Sequence, residues 1–189
     1  MKATTEKGEL ALIPNCYIKI QGKLIPMNIL PDISDGKSAV YNDEAVIGRS
    51  FPVKTYSHSD NRSINWTAYF ISTNESDIQN NLEYLRTIES AVYPRDEAFQ
   101  PYAPPPVCAL KCGNLLDPRS PPKKMKDGRT VSTARDMCAI MKSYSVKFPT
   151  DVAWDEATNL PYKFSVDMQF DIVYESSSLP GQERIMRGY

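Results

Sequence analysis

Histidine is nearly absent, with His58 the single copy in 189 residues. Any Ser/His or Cys/His catalytic pair must therefore use it. Glycine is scarce, eight in all, and neither a G-x-G-x-x-G nor a G-x-x-x-x-G-K-[ST] loop occurs, so the common backbone cradles for nucleotide phosphates are missing. No G-x-S-x-G nucleophile elbow is present either. Charge of one sign is lacking, with 22 Lys and Arg against 23 Asp and Glu, so no overall attraction to nucleic acid or anionic lipid is built in. Apolar runs extend only a few residues, far short of the ~20 needed to span a bilayer. The opening MKATTEKGELALIPNC has no apolar core of signal-peptide type, and synthesis in the cytosol is expected.

Cysteine is also sparse. Cys16, Cys108, Cys112 and Cys138 are too few for a disulfide scaffold in a chain of this length, and free thiols are expected. The Cys108 and Cys112 spacing in CALKC invites a zinc reading. A structural zinc site wants four Cys or His ligands, and the other candidates are scattered singles, so buried strand cysteines are the expectation, with no metal and no cofactor.

What the chain does have is alternation. In YKFSVDMQFDIVYE, Tyr162, Phe164, Val166, Met168, Phe170, Ile172 and Tyr174 share one parity, and polar residues take the other except at Val173. That is a strand with one dry and one wet face. Ile64, Trp66, Ala68 and Phe70 repeat the pattern, in a segment expected to pair with the preceding strand through the turn formers Ser59, Asp60 and Asn61. Two short strands around Gln21 and Gly22 are predicted near the start, and the stretch PDISDGKSAVYNDEAVIG reads as a long loop.

One segment changes period. Ser76 and Gln79 form a capping-box pattern, and Ile78, Leu82, Leu85 and Val92, with Ile88 beside them, mark a helical stripe stopped by Pro94. A helix is predicted over about 77–91. Residues 94–122 then hold 8 of the 15 prolines, which leaves room for a strand at VCALKCGNLL between two clusters. Beyond them, Ile140, Tyr144, Val146 and Phe148 are expected to share one face of a strand that pairs antiparallel with the YKFSVDMQFDIVYE segment.

The order of elements implies an α+β fold, mainly antiparallel β, arranged as a sandwich or barrel with one flanking helix. A body over 9–175 is expected, with Pro-rich loops at 94–106 and 117–135, a short arm at 1–8 and an extension at 176–189. No internal repeat is visible.

Three places carry possible function. His58 lies in YSHSDNR two residues before Asp60, which makes a hydrolase conceivable. Lys123, Lys124, Lys126 and Arg129 form a basic loop that could meet phosphates, although no aromatic platform interleaves them. The end of the chain sets Arg184, Ile185, Met186, Arg187 and Tyr189 on a segment too short to bury its own apolar groups, the pattern of a tail that docks on a neighbour. Carboxylates in YPRDEAF and AWDEA are adjacent to turns or prolines, where solvation is their default.

The segment IGRSFPVKTYSHSDNRSINWTAYFISTN, the helix with Leu85 and Arg86, then Tyr93 and Pro94, and PPPVCALKCGNLL with Pro105, Val107, Ala109 and Lys111 to Asn114 together resemble the tube-fold baseplate proteins of contractile-tailed bacteriophages. The likeness runs from about Ile47 to Tyr174 and rests on order and spacing, including Arg62, Ser63, Ile64, Trp66 and Thr67. It implies a fold similar to the phage tail-tube fold and a structural virion protein, without enzymatic activity, near the central hub and first tube ring. The expected partners are hub, tube and wedge proteins in a ring of six copies, with neither membrane nor direct nucleic acid contact. Lys123, Lys124 and the Arg184 to Tyr189 tail are the expected contact residues, and edges near Ile18 or Val107 are expected to be capped by a neighbour's strand. Two other readings stay open: a particle-borne cell-wall hydrolase using His58, and a nucleic-acid module using the 123–129 loop.

Overall fold

In a computed structural model, the residues described are 12–45, 47–97, 100–116, 123–126, 128–131, 135–157 and 159–174. The expected arm at 1–8 and extension at 176–189, including Arg184, Ile185, Met186, Arg187 and Tyr189, lie outside them. The elements in chain order are β1 (Cys16–Ile20), β2 (Lys23–Pro26), β3 (Asp32–Gly36), β4 (Ala39–Glu44), β5 (Val53–Ser59), β6 (Ser63–Ile71), α1 (Glu75–Ser90), β7 (Arg95–Glu97), β8 (Gln100–Ala103), β9 (Val107–Cys112), β10 (Lys123–Lys124), β11 (Thr130–Val131), β12 (Met137–Lys147) and β13 (Lys163–Ile172). The fold is mainly antiparallel β with a single helix among the described residues.

Seven strands form one sheet in the order β2-β1-β9-β12-β13-β6-β3. Laid flat, its two outermost strands would stand roughly 29 Å apart at about 4.8 Å per neighbour. Only residues 27–31 join them, and that link reaches about 21 Å at most. The sheet must therefore curl until β2 and β3 approach. α1 packs on the face that carries the buried side chains, with Ile88 in the shared core. Lys23 of β2 pairs with Glu83 of α1 at 2.5 Å, and Tyr84 of α1 lies against Phe70 of β6.

Alternation sets the face of each strand. Ile64, Trp66, Ala68 and Phe70 on β6, and Phe164, Val166, Met168, Phe170 and Ile172 on β13, are all buried, and the ladder pairs Phe164 with Phe70, Val166 with Ala68 and Met168 with Trp66. Phe164 stacks on Phe70 at 5.1 Å and meets Phe148 at 5.8 Å, contacts worth roughly 0.5–1.5 kcal/mol each beyond the area they bury. The short strands near the start turn through Gln21 (φ 51°) and Gly22 (φ 81°). Two successive left-handed residues make a type I′ turn, whose twist matches the flanking strands.

The structure corrects several expectations. The segment 31–48 contains β3 and β4. β5 pairs with β4 and not with β6, whose partners are β13 and β3. The helix starts at Glu75 and uses Asn74 and Asp77 in place of Ser76 and Gln79: the Asp77 carboxylate accepts from the Thr73 backbone N–H at 3.0 Å and from that of Asn74 at 3.3 Å. That satisfies donors the helix itself leaves open. Its inward line runs Ile78, Asn81, Ile88, so a polar residue sits where a purely apolar stripe was expected.

Ile140 does not share a face with Tyr144 and Val146. The β12–β13 register pairs Met141 with Phe170 and then Ser143 with Gln169, so one extra residue, Lys142, lies in a bulge. A bulge inverts side-chain parity beyond it. Met137, Ala139 and Met141 therefore point inward before Lys142, and Tyr144 and Val146 point inward after it. Ile140 is left on the outside opposite Asp171. β1 and β9, expected at edges, are interior; the edges are β2 and β3, which carry Pro26 and the acidic Asp32 and Asp35. Within the Pro-rich and basic passages lie the two-stranded pairs β7–β8 and β10–β11.

Candidate functional site

The β4–β5 hairpin is exposed along almost its whole length. Strands of six and seven residues extend roughly 20 Å, and only Val40 and Val53 among their side chains are even half-buried. Tyr41 and Tyr56 are register partners and meet edge to face at 5.7 Å. Beside them, Lys54 Nζ reaches Asp43 Oδ1 at 2.7 Å. The ribbon is thus ordered along one face by a ring pair and an ion pair, both in water. At its tip Ile47 is wholly exposed and Phe51 is 71% exposed.

The root is fixed by polar contacts. The Asp60 N–H donates to the Ser38 carbonyl at 2.9 Å, and Ser38 Oγ donates to the Asp60 carboxylate at 2.5 Å. Arg62 Nε donates to Asp35 at 2.7 Å, Nη2 holds the second oxygen of the same carboxylate, and Nη2 also reaches the Leu116 carbonyl at 3.0 Å. A two-pronged guanidinium–carboxylate pair fixes direction as well as distance. The two strands from which the arm departs are therefore joined at its root, since Asp35 belongs to β3 and Arg62 immediately precedes β6.

His58 stands on β5 opposite Val40. Its Nδ1 lies 3.1 Å from Ser57 Oγ and its Nε2 lies 3.5 Å from Asp60 Oδ1. The imidazole side chain is 61% exposed, so the three groups sit in water on the arm. Lys123 and Lys124 are exposed on β10 opposite Val131 and Thr130, with a turn closed by Met125 N–H to the Arg129 carbonyl at 2.8 Å. The basic residues expected in a loop thus sit on a small hairpin of their own. The structure does not bring them to His58 through any described contact.

On the outer face of the sheet, charges are tied to hydroxyls. Tyr17 donates to Asp136 at 2.9 Å, and Lys111 stands 3.4 Å from the same carboxylate. Burial, with the Asp136 bond second, pushes the Tyr17 phenol up to about 12. Asp167 accepts from Lys147 at 2.5 Å and Thr67 at 2.7 Å, and these bonds hold its carboxyl below the usual range. A cavity of about 290 Å³ between α1 and β6, lined by Asn28, Tyr69, Ser76, Asn80 and Tyr84, falls just below the usual size of a small-molecule site. Among the described residues, no group of three or more His, Cys, Asp and Glu could hold a metal ion, and no helix is long and apolar enough to cross a membrane. Cys108 and Cys112 are buried strand residues of β9.

The hairpin escaped the sequence reading because AVYNDE is short and polar at its end. The available signal was Val40 and Tyr41 between Gly36 and Gly48, facing a second run with Val53 and Tyr56. The chain matches no family model, and no curated protein is significantly similar to it.

Proposed function

We propose that the protein is a structural subunit of a contractile phage tail, a baseplate component near the central hub and first tube ring that links hub or tube to the surrounding wedge proteins. The observation that carries this reading is the β4–β5 arm with its exposed Ile47 and Phe51. A two-stranded ribbon is marginal alone in water, and large apolar groups at its tip gain only when a neighbour covers them. A curled sheet supplies a stiff body for such an arm, and the Ser38–Asp60 bonds with the Arg62–Asp35 pair fasten its root. On this reading the fold is of the tail-tube kind, copies form a ring of six, and the exposed Lys123 and Lys124 and the Arg184 to Tyr189 tail make further contacts. The protein acts in the virion after assembly in the host cytoplasm, without chemistry of its own.

The test is the position of the chain in an image of the whole particle, together with Ile47→Ser/Phe51→Ser. The double variant is expected to fold with an unchanged melting temperature and to fail to enter the particle. Normal incorporation of that variant, or a position away from the hub and tube, overturns the reading. His58→Ala is expected to leave assembly intact, and loss of a hydrolytic activity on that change would favour the enzyme instead.

A further inference from the structure

Cys16 and Cys112 are register partners across β1 and β9. Their sulfurs lie 3.3 Å apart, and both residues are buried. The kind of pairing matters as much as the distance. The Gly113 N–H donates to the Asn15 carbonyl at 2.8 Å, a bond between the residues that flank the two cysteines, which makes Cys16 and Cys112 a non-hydrogen-bonded pair. In such a pair the Cα atoms approach to about 4.5 Å, within the range a disulfide spans without moving the backbone.

We propose that Cys16 and Cys112 form a disulfide site, a pair that bridges β1 to β9 when the protein meets a low-molecular-weight disulfide such as oxidised glutathione. The Cys112 thiolate attacks one glutathione sulfur, forming a mixed disulfide and expelling one glutathione thiolate. Cys16 then gives up its proton to water, and its thiolate attacks the Cys112 sulfur and expels the second glutathione. The two protein thiols lose two electrons and two protons, and glutathione disulfide is reduced to two thiols.

Cys112 is the suitable attacker. The bond donated by Cys16 holds its thiol below the ordinary value, whereas burial pushes Cys108 up to about 12 and raises Cys138 as well. Geometry selects the same pair. Cys108 is the register partner of Ile20 and Ala139 on the inner face, and Cys138 is the partner of Ala109 with its side chain on the opposite face. Access comes from position: Cys16 opens β1 and Cys112 closes β9, and the end of a ladder opens at far lower cost than its middle. Once formed, the bridge closes a loop between residues 96 apart and ties the β1–β2 edge to β9, the next strand inward. This inference does not depend on the phage-tail reading.

The test uses the purified full chain, incubated with oxidised glutathione and then denatured and thiol-labelled. Free thiols are expected to fall from four to two, with a mass loss of about 2 Da and one linked peptide pair joining Cys16 to Cys112. The melting temperature is expected to rise on the order of 10 °C and to return on reduction. Cys138→Ala should form the same bridge, its free thiols falling from three to one, while Cys16→Ser should stop at a glutathione adduct on Cys112. Persistence of all four thiols, a lasting glutathione adduct on the unaltered chain, or a bridge that involves Cys108 or Cys138 overturns the proposal. The peptide map is made on the unaltered chain, so it stands even if Cys16→Ser does not fold.

Discussion

Asn81 Nδ2 donates a 2.9 Å hydrogen bond to Ser72 Oγ, and both residues are buried. The same amide approaches the Ile71 carbonyl at 3.4 Å, so the middle of α1 is fastened to the end of β6. Removing the amide leaves the Ser72 hydroxyl without its partner inside the protein. Asn81→Ala is expected to cost about 1–3 kcal/mol. Thermal or urea unfolding checks the value, and a double-mutant cycle with Ser72→Ala should show coupling between the two sites.

Asp167 gives an acid-side prediction. Its pKa is depressed by the bonds from Lys147 and Thr67. The depressed folded value means that the contribution is present above the unfolded pKa near 4 and is lost as pH falls through the folded value. The side chain is 33% exposed and that of Lys147 68% exposed, so screening limits the effect to no more than about 1 kcal/mol. Asp167→Asn should be less stable than the unaltered chain at pH 7, and the two unfolding curves should converge as pH falls below the depressed folded pKa.

Tyr17 gives the alkaline counterpart, with the opposite sign. Its folded pKa is raised to about 12 by burial and by the bond to Asp136. The contribution is therefore complete below the unfolded value near 10 and is lost as pH rises from there through about 12. Tyr17→Phe removes that dependence. Denaturant midpoints measured between pH 9 and 12 should fall more steeply for the unaltered chain than for the variant.

The tail prediction concerns assembly. The buried face of β13 ends at Ile172, so deletion of 176–189 should leave a folded domain with its melting temperature within a few degrees. On the proposed baseplate reading, the truncated chain is expected to be soluble and to be left out of the particle. A truncated protein recovered in particles at normal yield would remove Arg184, Ile185, Met186, Arg187 and Tyr189 from the contact surface.

Much of the body was legible because period-two alternation depends only on neighbouring residues. β6 and β13 bury the residues their parity marks, from Ile64 to Phe70 and from Phe164 to Ile172. The helix was found within two residues of its start, although its cap was misplaced, since Ser76 with Gln79 and Asn74 with Asp77 offer overlapping signals to the same backbone. Parity failed where a bulge interrupts it. Nothing local to Lys142 announces that a residue will be left over when β12 is laid against β13.

By itself, then, the amino-acid order determined which side of each long strand is dry, where the period changes to that of a helix, and that nucleotide cradles and long apolar spans are missing. Tertiary structure alone decided that β5 leaves the sheet to pair with β4, that β1 and β9 lie inside it, and that Cys16 faces Cys112 across 96 residues of chain. The physical reason is range. Alternation and capping follow from covalent geometry within a few residues, whereas strand partners and register follow from competition among distant segments for one shared core.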